Sequence, residues 1–395
     1  MTIDDAARDS PRGGPRELLR LVSSGAAVSR ADLARLSGLS PSTVSLRVEA
    51  LISEGLLQET GDGKSRGGRR PRQLAVPTGD ALVGAIDLGA HHARLGTLDL
   101  TGRVVEVRSR PIRIEDGPEA VLGALLDEIA ALAPRPAAPV PGQRGGATAG
   151  GLRGIGIGIP GPVHFDTGRI VSPSRMPGWN GFDVRAFCAE RTEVPVVVDN
   201  DANLMALGEH RFTHPELDHA VYVKAGTGIG AGVISGRRLH RGAQGSAGDI
   251  SHCRVVADPG PLCSCGNTGC LEAVASGAAL VAALREQGVP VENLSGVMRL
   301  IDDGDRHATA LARRAGRSIG EILAVVVNFF NPQVVAIGGR LAECEPLLAS
   351  MRATLYERCL PLATQALLIE RVVAGPDVGI MGAAQLVIDR IVDPG

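Results

Sequence analysis

Hydrophobic positions in the first fifty-odd residues recur at helical spacing. After Pro15, "RELLRLVSSG" reads as a helix with proline in its first turn and Gly25 past its end. "SRADLARLSG" predicts a second helix, with Ser29 as N-cap and Gly38 at the stop. In "LSPSTVSLRVEALISEG" Ser40 caps, Pro41 opens the helix, and Val44, Val48 and Leu51 make an inward stripe at i, i+4, i+7. A turn of about four residues joins these last two helices, the tight connection of a helix-turn-helix. After Gly55 the pattern changes: "LLQETGDGKSRGGRRPRQLAV" predicts two short strands around a Gly- and Arg-rich hairpin, a wing. Residues 1–14 are polar and are expected to be disordered, so the head spans 15–78.

From residue 81 strands alternate with helices, which predicts an α/β body. "ALVGAIDLG" and "ARLGTLDLTGRVVEVRSRPI" give three strands, and a helix follows at about 117–132. "APRPAAPVPGQRGGATAGG", residues 133–151, has neither periodicity nor apolar bulk. It is expected to be a flexible surface loop, because the strand "GIGIGIPG" resumes directly after it. "VPVVVDNDAN" is a buried strand running into the helix "DANLMALGEHRF". "AGTGIGAGVISG" is strand, Gly loop, strand, and "VVAIGGRL" ends another strand after a long helix at about 308–330.

The length of 395 residues allows two or three domains, and the formal net charge of -2 gives no global field for nucleic acid. The local balance differs. Residues 11–72 hold eleven Arg/Lys against six Asp/Glu, and Lys64, Arg66, Arg69, Arg70 and Arg72 fall within nine positions that contain no acid. No apolar run of about 18 residues predicts a membrane span. "MTIDDAARDSPRGG" lacks the apolar middle of a signal peptide, so the expected location is the cytoplasm. The seven cysteines are then expected to be reduced, and a regular cluster reads as metal ligands. Lysine occurs only at 64 and 224, which reads as a coding bias.

Candidate chemistry falls at four places. Ser42, Thr43, Ser45 and Arg47 open the third helix away from its apolar stripe, where a recognition helix meets base edges and phosphates. Arg66, Arg69, Arg70 and Arg72 of the wing suit the minor groove or the phosphates beside it. Asp201 could accept a proton from a hydroxyl that Asn200 holds, although a helix cap is an equal reading of the same residues. Gly226, Thr227 and Gly228 could approach a phosphate, as could Asp87 with Gly89 in "AIDLGAHHARLG", while a tight hairpin is the simpler reading of such loops. The strongest local signal is "GDISHCRVVADPGPLCSCGNTGCLE": His252, Cys263, Cys265 and Cys270 fit a closed, tetrahedral structural Zn2+. Cys253 is adjacent to His252, but successive residues on a strand point opposite ways.

"GDISH", "CSCGNTGCLE", "DNDAN" and "GTGIGAG" together resemble the ROK family of repressors, open reading frames and sugar kinases. The resemblance runs from about residue 15 to the end and includes the winged helix of the repressor branch. It implies an actin-like body at 81–395, with one lobe at about 81–199 plus a C-terminal helix at 380–393, and a second at about 200–379. It implies sugar contacts at Asn200, Asp201, Asp249, His252 and Glu272, with Asp201 the catalytic base of the kinases. Asn180 in "SPSRMPGWNG" is a further candidate contact. Gly338 and Gly339 join Asp87, Gly89, Gly226, Thr227 and Gly228 as nucleotide positions, expected to be vestigial in this chain.

The chain departs from the kinase pattern where phosphate would bind. Asp249 replaces a longer Glu and Ser251 a usual glycine. Ala90, His91 and His92 stand where a second glycine, a hydroxyl and a lysine are usual. Two lost charge-assisted contacts, each worth about 1.5–3 kcal/mol, argue against efficient kinase activity. The expected function is therefore a sugar-responsive repressor of carbohydrate genes. It would bind double-stranded operator DNA as a homodimer or homotetramer, with a sugar as effector and no membrane partner. The alternative is an ATP-dependent sugar kinase, with Asp201 as base and an accessory DNA-binding domain.

Overall fold

The computed structural model describes residues 14–62, 72–77, 81–133, 151–257 and 260–392. The expected disordered N-terminus up to residue 13, the wing tip with Arg66, Arg69 and Arg70, and all but the ends of the expected 133–151 loop lie outside the described residues. The head consists of α1 (Pro15–Ser23), α2 (Arg30–Ser37), α3 (Pro41–Ser53), β1 (Gln58–Asp62) and β2 (Arg72–Ala75). Its caps are those that the sequence implies. Ser29 Oγ accepts from Asp32 N, Gly38 takes a left-handed φ of 72°, and Ser40 Oγ accepts from Thr43 N. The two strands pair antiparallel as the base of a wing.

The body holds two five-stranded sheets built on one plan. In the first, β3 (Ala81–Leu88), β4 (His92–Asp99) and β5 (Val104–Pro111) form an antiparallel meander. After α4 (Pro118–Leu132), β6 (Gly151–Ile159) pairs parallel with β3. The ribbon β7 (Val163–His164) and β8 (Arg169–Ile170) and the helix α5 (Val184–Ala189) precede β9 (Val196–Asn200), which pairs parallel with β6. Helix α6 (Asp201–Thr213) follows at once.

The second sheet repeats the order. Its meander is β10 (His219–Ala225), β11 (Ile229–Ser235) and β12 (Arg238–His240). Four helices follow: α7 (Leu271–Ala275), α8 (Gly277–Glu286), α9 (Leu294–Asp302) and the long α10 (Arg306–Phe330). Strand β13 (Val334–Gly338) lies parallel to β10. Then α11 (Glu345–Arg358) and α12 (Pro361–Thr364) lead to β14 (Leu368–Arg371), parallel to β13. The closing helix α13 (Val378–Val392) returns to β3 and β6 of the first sheet, whereas α6 rests on β10 and β11 of the second.

Helices α6 and α13 are therefore the layer between the lobes. They can lie this close because glycine faces them. A Cβ on Gly156 of β6 would collide with the backbone of Ala383, and one on Gly232 of β11 would collide with Ala206 on α6. At the crossing itself, a Cβ on Gly208 would strike the Val378 carbonyl, and one on Gly382 the Leu204 carbonyl. The alternation in "GIGIGIPG" follows from this. The isoleucines Ile155, Ile157 and Ile159 point to the other face of the sheet, where they join Leu122, Leu125 and the fully buried Trp179 in one core.

The head has no separate core. Leu18, Leu19, Val22, Val44, Val48, Leu51 and Leu74 belong to one continuous apolar cluster with Val83, Leu98, Leu100, Ile380, Leu386 and Val387 of the first lobe. The head, α3 included, is thus seated directly on the first lobe through this shared apolar cluster.

Candidate functional site

The ends of β3 and β10 and the start of α6 converge on the cleft. Asp87, next to last in β3, faces Lys224, next to last in β10, with Oδ1 and Nζ 3.7 Å apart. Lys224 Nζ also donates to Asp201 Oδ2 at 2.8 Å. One ammonium therefore stands between two carboxylates. Burial alone would make Lys224 give up its proton more readily, but the charges of Asp201 and then Asp87 outweigh it, and its pKa is raised. Burial raises the pKa of Asp87, against the pull of Lys224. The Asp87 Oδ1 atom is buried with no hydrogen-bond partner, which leaves the ion pair as its compensation.

Both readings of "DNDAN" are visible here. Asn200 caps α6: its Oδ1 accepts from Ala202 N and Asn203 N, and its Nδ2 donates to the Gly161 carbonyl. Asp201 lies beside it at the first helical position, with Oδ2 held by Lys224. The buried Asp199 anchors the strand end, accepting from Asn203 Nδ2 at 2.8 Å and from Arg241 Nε at 2.7 Å. Asn180 Oδ1 accepts from Ser172 N, where it supports a positive-φ turn.

On the other side of the Gly loop, Glu272 is buried on α7. Its Oε2 accepts from Ile229 N at 2.8 Å, and its Oε1 lies 3.1 Å from Arg175 Nη1. The same Arg175 nitrogen donates to the Thr227 carbonyl at 2.9 Å, so the 172–181 segment of the first lobe clasps the loop of the second. Burial raises the pKa of Glu272, opposed by Arg175. Asp249 is exposed and accepts from Ser251 Oγ. Glu272 N donates to the Ser251 carbonyl at 2.9 Å, which holds the backbone beside His252 against the start of α7.

The nucleotide positions are more constrained. Gly89 N donates to the His92 carbonyl, and the His92 ring lies where a Gly89 side chain would be. An imidazole thus takes up the space beside the Gly89 Cα. Gly226 and Thr227 offer their carbonyls to Gly277 N and Ala278 N, so the second loop is tied to the start of α8. Gly228 packs against Glu272. Gly338 gives room to Met205 and Val372, and Gly339, at φ 81°, lies against the Ala225 backbone.

His252, Cys263, Cys265 and Cys270 offer four ligand atoms, all within 4.8 Å of one another. Zinc–sulfur bonds of about 2.3 Å in a regular tetrahedron imply sulfur–sulfur edges of about 3.8 Å. Cys265 Sγ and Cys270 Sγ are 3.8 Å apart, and His252 Nδ1 is 3.8 Å from Cys263 Sγ. The donor set and its spacing fit a zinc held by three thiolates and Nδ1. Cys253, next in sequence, is exposed and outside the group.

On α3, Ser42 is exposed and Thr43, Ser45 and Arg47 half-exposed, around the cap in which Ser40 Oγ meets Ser42 Oγ and Thr43 Oγ1. Arg72 is paired with Glu59, which also takes Arg30, so it braces the wing base. Sequence reasoning passed over Leu46, which is 74% exposed one turn from Ser42, an apolar side chain on a helix face that otherwise presents polar groups. It also passed over Lys224, Arg175, Asp199 and Arg241.

Residues 83–390 match the ROK family, and residues 15–58 match a winged helix-turn-helix DNA-binding domain. The xylose repressor of Bacillus subtilis (strain 168) is 32% identical over 381 residues, covering 95% of either chain. A solved ROK family transcriptional regulator, described as a homolog of the E. coli MLC protein, is 26% identical with a TM-score of 0.78 and covers 96% of both chains. The ROK hexokinase of Thermus thermophilus is 33% identical with a TM-score of 0.61; it matches over its whole length but covers 80% of this chain. Among the described residues, no helix is long and apolar enough to cross a membrane. With the family match running through both lobes and the regulator match running through the head as well, this chain belongs to the ROK family.

Proposed function

We propose that this protein is a sugar-responsive transcriptional repressor. Ser42, Thr43, Ser45 and Arg47, with Arg66, Arg69, Arg70 and Arg72 of the wing, would bind one half-site of a palindromic operator, and a homodimer or homotetramer would supply the other. The sugar would lie between the lobes against Asn180, Asn200, Asp201, Asp249, His252 and Glu272. Zn2+ on His252, Cys263, Cys265 and Cys270 would fix the loop that carries His252. The observation that carries this reading is the continuous apolar cluster joining the head to the lobe that bears Asp87 and β9. A head seated in this way follows any change in the body.

The test is a mobility shift with the protein's own upstream DNA, in which Thr43→Ala/Arg47→Ala should abolish the complex. A panel of pentoses, hexoses and N-acetylhexosamines, headed by D-xylose because of the name of the Bacillus subtilis relative, should contain a sugar that releases it. A complex indifferent to both would sink the reading.

Asp201 at the strand end favours a second reading, an ATP-dependent sugar kinase. Against it stand Lys224 on the Asp201 carboxylate and His92 over Gly89. A coupled ADP-release assay separates the two, since turnover near about 10 s⁻¹ would support the kinase.

A further inference from the structure

Two arginines, one from each lobe, hold the head at the ends of its helices. Arg153 in β6 donates from Nη2 to the Glu54 carbonyl, just past the end of α3, at 2.8 Å. Arg211 in the last turn of α6 donates from Nη2 to Ser23 Oγ, at the end of α1, at 3.2 Å. Each guanidinium stands at a helix C-terminus, where the macrodipole favours positive charge. Their mountings differ. Strand β6 is part of the first sheet, whose α13 side shares its core with the head, while α6 lies on the second sheet. Helix α13, which carries Asp389, packs on both α6 and α1, so the three helices are in mutual contact with Arg211 bridging α6 to α1. Burial lowers the pKa of Arg211, but an arginine stays ionised under these conditions.

The other end of α6 is in the cleft, where Asn200 caps it and Asp201 is held by Lys224. Ten residues separate Asp201 from Arg211, roughly 15 Å along the helix. Between them lies the contact with α13, made at Gly208 and Gly382 by backbone on backbone. Leu204 of α6 shares a core with Ile380, Ala383 and Ala384 of α13 beside this point, so the crossing fixes the separation of the two helices and serves as their fulcrum.

We propose that Arg211 is a positioning residue that carries the state of the cleft to the DNA-reading head. Helix α6 turns on the Gly208–Gly382 crossing and moves the end of α1, while Arg153 keeps the end of α3 on the first sheet. The recognition helix is thereby tilted relative to its half-site. This proposal rests on the repressor reading above and names the route of its regulation.

The route can be tested without knowing the sugar, by hydrogen exchange in the full-length protein. Lys224→Met disturbs the cleft end of α6 and should raise exchange of the α1 amides by about 5-fold or more. In the Arg211→Met background that increment should vanish, while the amides of β6, which exchange through global unfolding, report only the overall loss of stability of each variant. Arg211→Gln, which keeps a donor but loses the charge, serves if Arg211→Met does not fold, with the same expectation. An increment that is unchanged without Arg211, or absent from Lys224→Met alone, overturns the proposal. Where D-xylose or another sugar of the panel releases the wild-type complex, coupling of between about 5- and 150-fold should fall below about 2-fold in Arg211→Met, with sugar affinity retained. A wild type that answers no sugar counts against the repressor reading, and the exchange result then still decides the relay.

Discussion

Asp87 and Lys224 occupy one position in two copies of the same sheet plan, and their charged atoms meet across the cleft at 3.7 Å. Each sits next to last in the first strand of its sheet. Each is in register with a glycine on the parallel neighbour, Asp87 with Gly158 and Lys224 with Gly338. The repeat thus supplies opposite charges to the centre of the molecule, with Asp201 as the second anion. An ammonium placed there neutralises two carboxylates that would otherwise repel one another.

Lys224→Met should therefore destabilise the protein by about 2 kcal/mol, at or below the low end for a broken buried pair because the side chain keeps 27% of its exposure. Because the pKa of Lys224 is raised by folding, the stabilisation is fully present below its ordinary value of 10.5 and is lost as pH rises through the shifted one. Urea denaturation at a series of pH values should show a constant gap between wild type and variant up to about pH 10, narrowing above it. A gap that closes near neutrality would contradict the assignment.

Metal analysis should find one zinc per chain, and Cys265→Ser or Cys270→Ser should release it. The loss should lower the melting temperature and weaken sugar binding together, because His252 belongs to the cluster and its neighbour Ser251 is hydrogen-bonded to Glu272 N. Sugar affinity that survives removal of the metal would separate the two roles.

Replacing Ala90, His91 and His92 with Gly, Thr and Lys should raise ATP affinity by an order of magnitude or more, since each regained charge-assisted contact is worth about 1.5–3 kcal/mol. The same change should leave operator affinity within about 2-fold, because the loop is far in sequence and packing from the head. Calorimetry and mobility shifts read the two effects separately.

His210 is buried against Tyr222, with its Nδ1 3.2 Å from the hydroxyl. Burial, with His214 adding to it, pushes its pKa down to about 4, so it is neutral in the fold. The unfolded chain takes up the proton first, and stability should fall as pH drops from 6.5 towards 4, by about 1.4 kcal/mol per unit from this group. His210→Gln should flatten that part of the stability curve.

Gly382→Ala would place a methyl group on the Leu204 carbonyl, and the crossing would have to open. A loss of about 3 kcal/mol is expected, seen as a lower denaturation midpoint, while Gly25→Ala, where a Cβ meets open space, should lose less despite its φ of 73°.

The elements were legible in the sequence because they are local. Ser29 and Ser40 announce their helices, the period changes after Gly55, and the His–Cys spacing closes on itself within one loop. The cleft was legible in part: "DNDAN" marked the strand end, yet the spacing does not divide Asn200, which became the cap, from Asp201, which points at Lys224. What stayed hidden was every contact between the lobes. Lys224, Arg175 and Arg241 find their acids on distant segments, and no periodicity encodes that. Lys224 even stood out, as one of two lysines, but rarity carries no direction. Glycines proved ambiguous for a physical reason. A missing side chain admits a phosphate and a neighbouring helix equally well, and Gly156, Gly208, Gly232 and Gly382 admit helices.

The cluster shared by Leu18, Val48 and Leu51 with Leu98, Ile380 and Val387 also limits how such a protein can be re-engineered. A head borrowed from another regulator would arrive with an underside cut for a different seat. Chimeras that exchange residues 15–78 alone should expose apolar surface at the seam and precipitate. Those that also carry across the α13 positions facing it should remain in solution. New DNA specificity is thus more accessible through the exposed residues of α3 than by trading whole heads.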